Sequence, residues 1–128
     1  QNDALWGGGD PIAGVSGNKT IFDPCPPGWR VPAWRNNTSP WNGFTVDTFP
    51  WSNYGRIYTA ANTYYPAAGY RYSTTGALTY VGKVGNYWSA SVSSTIEDSY
   101  LIHFTIDILN PSSINYRAPA YSIRCVRE

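Results

Sequence analysis

Gly and Pro interrupt this chain so often that a long helix has nowhere to begin. One or the other falls every few residues through Gly7–Pro50, within totals of 12 Gly and 10 Pro in 128 residues. Pro removes a backbone donor and Gly raises the entropic cost of ordering, so both break regular structure. No eleven-residue window carries the 3.6-residue apolar period of an amphipathic helix. One or two short helices are allowed within Trp34–Tyr64, but nothing requires them. Strands and irregular loops are what remain.

Strand signals are clearest late in the chain. Tyr100, Ile102, Phe104, Ile106 and Ile108 alternate with Leu101, His103, Thr105 and Asp107, the period-two pattern of a strand with one buried side. This places Leu101, His103, Thr105 and Asp107 on the outward face. Tyr121, Ile123 and Cys125 alternate in the same way near the C-terminal end, and Asn110-Pro111-Ser112-Ser113 reads as the turn between. Thr20-Ile21-Phe22 reads as a strand leading into a Pro-rich turn. Gly7-Gly8-Gly9 lacks the Lys-Ser/Thr of a phosphate loop and reads as part of a flexible leading segment, residues 1–18.

The length suits one domain with a real core. A net charge of +1 with scattered Lys and Arg gives no footprint for nucleic acid, and no apolar run is long enough to insert this domain in a membrane. The opening QNDALWGGGDP reads as a cut into a longer protein or a trimmed mature form. Eleven Tyr and six Trp lie among abundant Ser, Asn, Thr and Gly. Recognition surfaces use this mixture, because Tyr and Trp give large rigid contact area at low entropic cost. An all-β domain also favours Tyr, Thr and Trp, so composition leaves both readings open.

The two cysteines leave two readings as well. A bond between Cys25 and Cys125 would close a loop of about 100 residues, worth up to about 4.7 kcal/mol before strain is subtracted. Two buried reduced thiols are the other reading. An exported, loop-rich domain gains most from the bond.

Two blocks are far more specific: Lys19-Thr20-Ile21-Phe22-Asp23-Pro24-Cys25-Pro26-Pro27-Gly28-Trp29-Arg30-Val31-Pro32, and the series from Tyr65-Pro66 through Gly85-Asn86-Tyr87-Trp88-Ser89-Ala90-Ser91 to Ser122-Ile123-Arg124-Cys125-Val126. Over residues 19–128 they resemble the Fibrobacter succinogenes major paralogous domain of Bacteroidetes surface proteins. The resemblance implies an α+β, C-type lectin-like fold, mostly strands and irregular loops with few short helices, whose two chain ends pair. It puts the strand before Cys25 beside the one carrying Cys125. It also implies an extracellular or cell-surface setting: a lipoprotein, a pilus-like adhesin or a phage particle. The family's usual helix after Val31-Pro32 meets Pro-bounded, poor helix formers here, so that helix is shortened or lost.

The C-terminal part, residues 76–128, is also similar to the variable region of proteins diversified by retroelements, where a fixed frame carries freely chosen residues. On that resemblance the display positions are Tyr80, Lys83, Val84, Asn86, Asp98, Leu101, His103, Thr105, Asp107, Ser113, Ile114, Asn115, Tyr116 and Pro119, with Trp88 anchoring the core beneath them. An ordinary paralogue with a drifted surface is the alternative. The expected partner is an extracellular protein or glycan. A structural terminal domain of a pilus and a carbohydrate-binding module are the other readings.

Chemistry of an enzyme is not legible. His103 is the sole histidine, with no Cys, His or carboxylate spaced around it for a metal. Ser89 and Ser91 lack a base and its orienting partner, and no two acids read as a catalytic pair. Trp41-Asn42-Gly43 lacks the acid a calcium site would want. No cofactor and no catalytic residue are expected.

Overall fold

The computed structural model of the protein describes residues 5–10, 17–95 and 97–128. Among these residues nine strands carry the fold. They are β1 (Trp29–Arg30), β2 (Gly55–Tyr58), β3 (Thr63–Pro66), β4 (Tyr70–Arg71), β5 (Leu78–Thr79), β6 (Gly85–Val92), β7 (Asp98–Phe104), β8 (Leu109–Tyr116) and β9 (Val126–Arg127). The pairings between these strands are all antiparallel: a central sheet β6-β7-β8, and the two-stranded pairs β1-β9, β2-β3 and β4-β5.

The expected α+β class is not what the chain adopts. Among the described residues the sole helical element is one 3-10 turn, Thr59–Ala61, and the fold is almost entirely β. The stretch after Val31-Pro32 shows why. Asn36 and Asn37 both take left-handed backbone (φ 50° and 55°), and Arg35 and Thr38 exchange backbone hydrogen bonds of 3.1 and 2.9 Å across them. Asn tolerates that conformation, so a two-residue turn forms where a helix was allowed.

One side of the central sheet makes the core. Ile102 and Phe104 of β7 and Tyr87 of β6 pack with Trp41, Phe49, Tyr65 and Ala67. The rings meet edge to face: Phe49 with Phe104 at 5.4 Å, Phe49 with Tyr65 at 5.2 Å, Tyr65 with Tyr87 at 5.1 Å. Such contacts add to burial worth about 1.5–3 kcal/mol per large side chain. Tyr87 keeps its hydroxyl satisfied by donating to the Pro66 carbonyl at 2.8 Å, and burial raises its pKa. Gly85 leaves room for this packing, since a Cβ there would come within 2.1 Å of the Phe104 ring.

The Tyr100–Ile108 alternation is only partly realised. β7 ends at Phe104, and Thr105–Ile108 form the turn into β8. The Thr105 hydroxyl accepts from the Asp107 and Ile108 amides at 3.2 and 3.0 Å, a local bond that competes with the ladder. Ile106 and Ile108 consequently sit 60% and 52% exposed rather than inward. Asn110–Ser113, read above as a turn, lies within β8, where Pro111 is tolerated because β8 is an outer strand.

The chain ends do meet, though not through the strand expected. The Asp23 amide donates to the Thr20 carbonyl at 3.2 Å, closing a turn with Ile21 and Phe22 exposed, so residues 20–22 are no strand. The pairing falls after Cys25 instead: Trp29 opposite Arg127, Arg30 opposite Val126. Only Val126–Arg127 of the closing alternation is strand, while Tyr121–Cys125 runs as an irregular strap. Cys25 and Cys125 are bonded, with Cα atoms 5.8 Å apart. Gly7-Gly8 is packed rather than loose, because a Cβ on Gly8 would meet the Ala90 carbonyl at 2.2 Å. Arg30 fastens this segment by donating to the Gly7 and Gly17 carbonyls at 2.6 and 2.9 Å.

Candidate functional site

The face of the central sheet away from the aromatic core is the candidate site. Strand register decides its membership, since antiparallel partners project to the same side. Asn86 lies opposite His103, and Leu101 opposite Ser113. Asn115 follows Ser113 by two residues on β8 and shares its side. These five form the floor of a hollow of about 280 Å³.

Its walls come from three other segments. Tyr70 stands on β4, and the tight turn after β5 presents Tyr80 and Val84. That turn is closed by Lys83 and Val84 amides donating to the Tyr80 carbonyl at 3.0 and 3.1 Å. It forces Tyr80 to φ 55°, a conformation unusual for a bulky residue. The opposite wall is Tyr121, carried by the strap. Ser122 pairs in parallel with Tyr87, and Ala120 bridges Arg71, so the strap is sewn to both β6 and β4. Tyr121 therefore meets Tyr70 edge to face at 5.4 Å and leans on Trp88 at 4.5 Å. Tyr70 in turn lies 6.0 Å from Tyr80 and 6.4 Å from Tyr72.

Three of the four polar floor groups, Asn86, His103 and Asn115, are oriented by hydrogen bonds. His103 Nδ1 lies 2.7 Å from Asn86 Oδ1. An amide oxygen can only accept, so the proton is on Nδ1, and the neutral ring has an acceptor lone pair at Nε2. Burial holds the His103 pKa below its ordinary value, which favours that neutral form. Asn115 donates from Nδ2 to the Tyr121 hydroxyl at 2.7 Å and accepts the Tyr116 amide through Oδ1 at 2.9 Å. The Tyr121 hydroxyl, already accepting, retains a proton to donate. Burial raises the Tyr121 pKa against the opposing Asn115 bond, and burial with nearby Tyr80, Tyr72 and Tyr116 raises that of Tyr70. Both shifts favour the neutral phenol at Tyr70 and Tyr121.

Seven of the fourteen display positions thus come together: Tyr80, Val84 and the five floor residues. Leu101, however, is 2% exposed, so it is a buried floor and not a surface-facing residue. The other seven do not line the hollow. Tyr116 is an exposed residue close enough to Tyr70 and Tyr121 to influence their titration, which puts it near the rim. Lys83 is exposed in the turn beside Val84. Ile114 pairs with Tyr100 in register and so belongs to the other side of the sheet. Asp98, at the start of β7, accepts from the Thr95 hydroxyl at 3.0 Å. Thr105 and Asp107 belong to the β7–β8 turn, and Pro119 is buried. The fourteen positions therefore do not share one outer patch.

Tyr70 and Tyr121 escaped the sequence reading. Tyr70 sits in a block read as fixed frame, and Tyr121 in an alternation read as inward. Their meeting depends on the Arg71–Ala120 bridge, a pairing nearly fifty residues apart for which no local pattern exists.

Other concavities suit holding the fold. A cleft of about 570 Å³ carries Lys19, Arg30 and Arg127, but Lys19 Nζ is engaged by the Cys25, Pro26 and Trp29 carbonyls at 2.5, 2.9 and 2.5 Å. An apolar pocket of about 240 Å³ is lined by Leu5, Trp6 and Trp88 among others. Among the described residues no group of three His, Cys, Asp or Glu is placed to hold a metal ion. Set against known proteins, the chain matches no family model, no curated protein and no solved structure.

Proposed function

We propose that this is an extracellular ligand-binding domain, and that its ligand seat is the tyrosine-walled hollow on the outer face of β6-β7-β8. One observation carries the reading: residues from β4, the β5–β6 turn, all three sheet strands and the C-terminal strap converge on a single concavity of oriented, uncharged polar groups and aromatic rings. Ligand seats combine aromatic area with a few fixed hydrogen-bonding groups in this way. The Cys25–Cys125 bond supports an exported setting, because such bonds persist in oxidising compartments. The resemblance to Bacteroidetes surface proteins supports the same setting, as an adhesin or receptor-binding module.

Filling the hollow tests the site. Ser113→Trp should place a ring over the floor, with circular dichroism and melting temperature reporting that the fold survives. On arrays of immobilised glycans and extracellular proteins, the wild-type domain should bind a subset and the filled variant should lose it. Binding that persists unchanged with the hollow filled would move the seat elsewhere. Diversification by a retroelement has its own signature: a near-identical template repeat beside the gene, differing from it only at adenines. Differences spread over all bases would leave a conventional adhesin domain.

A further inference from the structure

The chemistry of the hollow narrows the ligand class, and the step rests on the seat proposed above. None of the nine lining residues is Asp, Glu, Lys or Arg. A ligand with a formal charge would leave water for this hollow without a counter-charge, which is costly at a partly buried site. A purely apolar ligand would strand the oriented floor groups, which lose their hydrogen bonds to water and gain none. The ligand therefore carries neutral hydroxyls.

Geometry adds the rest. The floor offers an acceptor at His103 Nε2, donors at the Asn86 amide and the Tyr121 hydroxyl, and the Ser113 hydroxyl, which does both. Above these lie aromatic rings, Tyr70, Tyr80 and Tyr121. Aromatic faces carry negative quadrupole density and attract weakly positive C–H groups. A molecule with hydroxyls around its edge and C–H bonds on its face is a pyranose, and a volume of about 280 Å³ admits one ring. We infer that the hollow binds one neutral hexopyranose, through its hydroxyl edge on the sheet floor and its C–H face on the tyrosine wall, with no metal bridging sugar to protein.

Saturation-transfer NMR on the whole domain tests this, using the methyl glycosides of glucose, galactose, mannose, fucose, N-acetylglucosamine and N-acetylgalactosamine. Methyl glucuronide, methyl galacturonide and glucosamine serve as charged counterparts. At least one neutral glycoside should bind with Kd on the order of 1 mM, as expected of so small a ligand. Its signal should be unchanged by EDTA and should fall at least about tenfold in affinity when the ring gains charge. Ser113→Trp should abolish the signal. Tyr80→Ser, an exposed change that tests the wall if the first variant misfolds, should weaken it about tenfold.

The inference is overturned if charged sugars bind as well as neutral ones, if EDTA removes binding, or if both variants bind like wild type. It is also overturned if no neutral glycoside binds. In that case, array binding that Ser113→Trp still abolishes keeps the hollow as the seat for another ligand class. Array binding indifferent to Ser113→Trp removes the seat itself.

Discussion

Tyr80 shows how a single residue can be set against its own backbone. Its φ of 55° suits Asn or Gly, whereas a β-carbon bearing an aromatic ring costs roughly 1–2 kcal/mol in the left-handed region. Its ring is 53% exposed, so packing recovers only part of that cost. Tyr54, at φ 61° and also exposed, is strained in the same way, and its ring lies near Gly82 in the turn that follows Tyr80. Tyr80→Asn should raise unfolding stability by about 1 kcal/mol in a urea titration while weakening ligand binding. A loss of stability would show the ring to be a packing residue. His103 gives the residue scale a second handle. Its folded pKa lies below the ordinary 6.5 because burial disfavours the imidazolium, so the unfolded chain takes up the proton first. The stability this contributes is complete above about pH 6.5 and is lost as the pH falls from there through the lower folded value. The groups beside it in the hollow are phenols and amides, and no carboxylate lines the site to rescue the cation. Wild-type protein should therefore lose more stability than His103→Gln between pH 7.5 and 5.5. Parallel denaturation curves at both pH values would contradict this.

Between elements, the β7–β8 hairpin depends on an arginine that no pattern predicts. Arg56 of β2 is 3% exposed, and carbonyl oxygens meet its charge. It donates from Nη1 to Phe49 at 2.7 Å, from Nε and Nη2 to Thr105 at 3.2 and 2.9 Å, and from Nη2 to Ile106 at 3.2 Å. This clamp takes the Thr105–Ile106 peptide out of the ladder and helps to end β7 at Phe104. Arg56→Met keeps much of the stem but strands those carbonyls, and should cost about 2–4 kcal/mol, read as a lower urea midpoint. A cost below about 0.5 kcal/mol would mean water replaces the clamp easily. The same residue marks where sequence reading stops. Alternation correctly placed Ile102 and Phe104 inward and put Leu101 and His103 together on the other side, because side-chain period is intrinsic to a strand. It overran at Ile106 and Ile108, because what ends the strand is a bond from a residue some fifty positions upstream. The absence of a long helix was legible in the Pro and Gly spacing, yet the residual short helices were not excluded by it. The two-residue turn at Asn36-Asn37 replaced one of them.

At the scale of the whole molecule, the disulfide and the hollow are separable, and this decides what reduction should do. The bond links residues 100 positions apart, so it acts on the unfolded chain by removing loop-closure entropy, worth up to about 4.7 kcal/mol. That is comparable to the total stability of a small domain. Cys25, Val31 and Ala90 form a small cluster with Cys125 at its edge, apart from the larger aromatic core under the sheet. The hollow takes none of its lining from that cluster. Its far wall, Tyr121, is fixed by the Ala120 and Ser122 bridges that flank it in the chain, with Ser122 standing between it and Cys125. Changing both cysteines to Ser should therefore lower the midpoint of unfolding by an amount corresponding to about 2–5 kcal/mol. At a low temperature where the variant is still folded, ligand affinity should stay within about twofold of wild type. Comparing the two by saturation transfer, after circular dichroism has confirmed the fold, gives the answer directly. An affinity that fell in step with stability would mean the strap is held by the disulfide and not by its own bridges. The seat would then depend on oxidation, and the chain ends would belong to the binding apparatus.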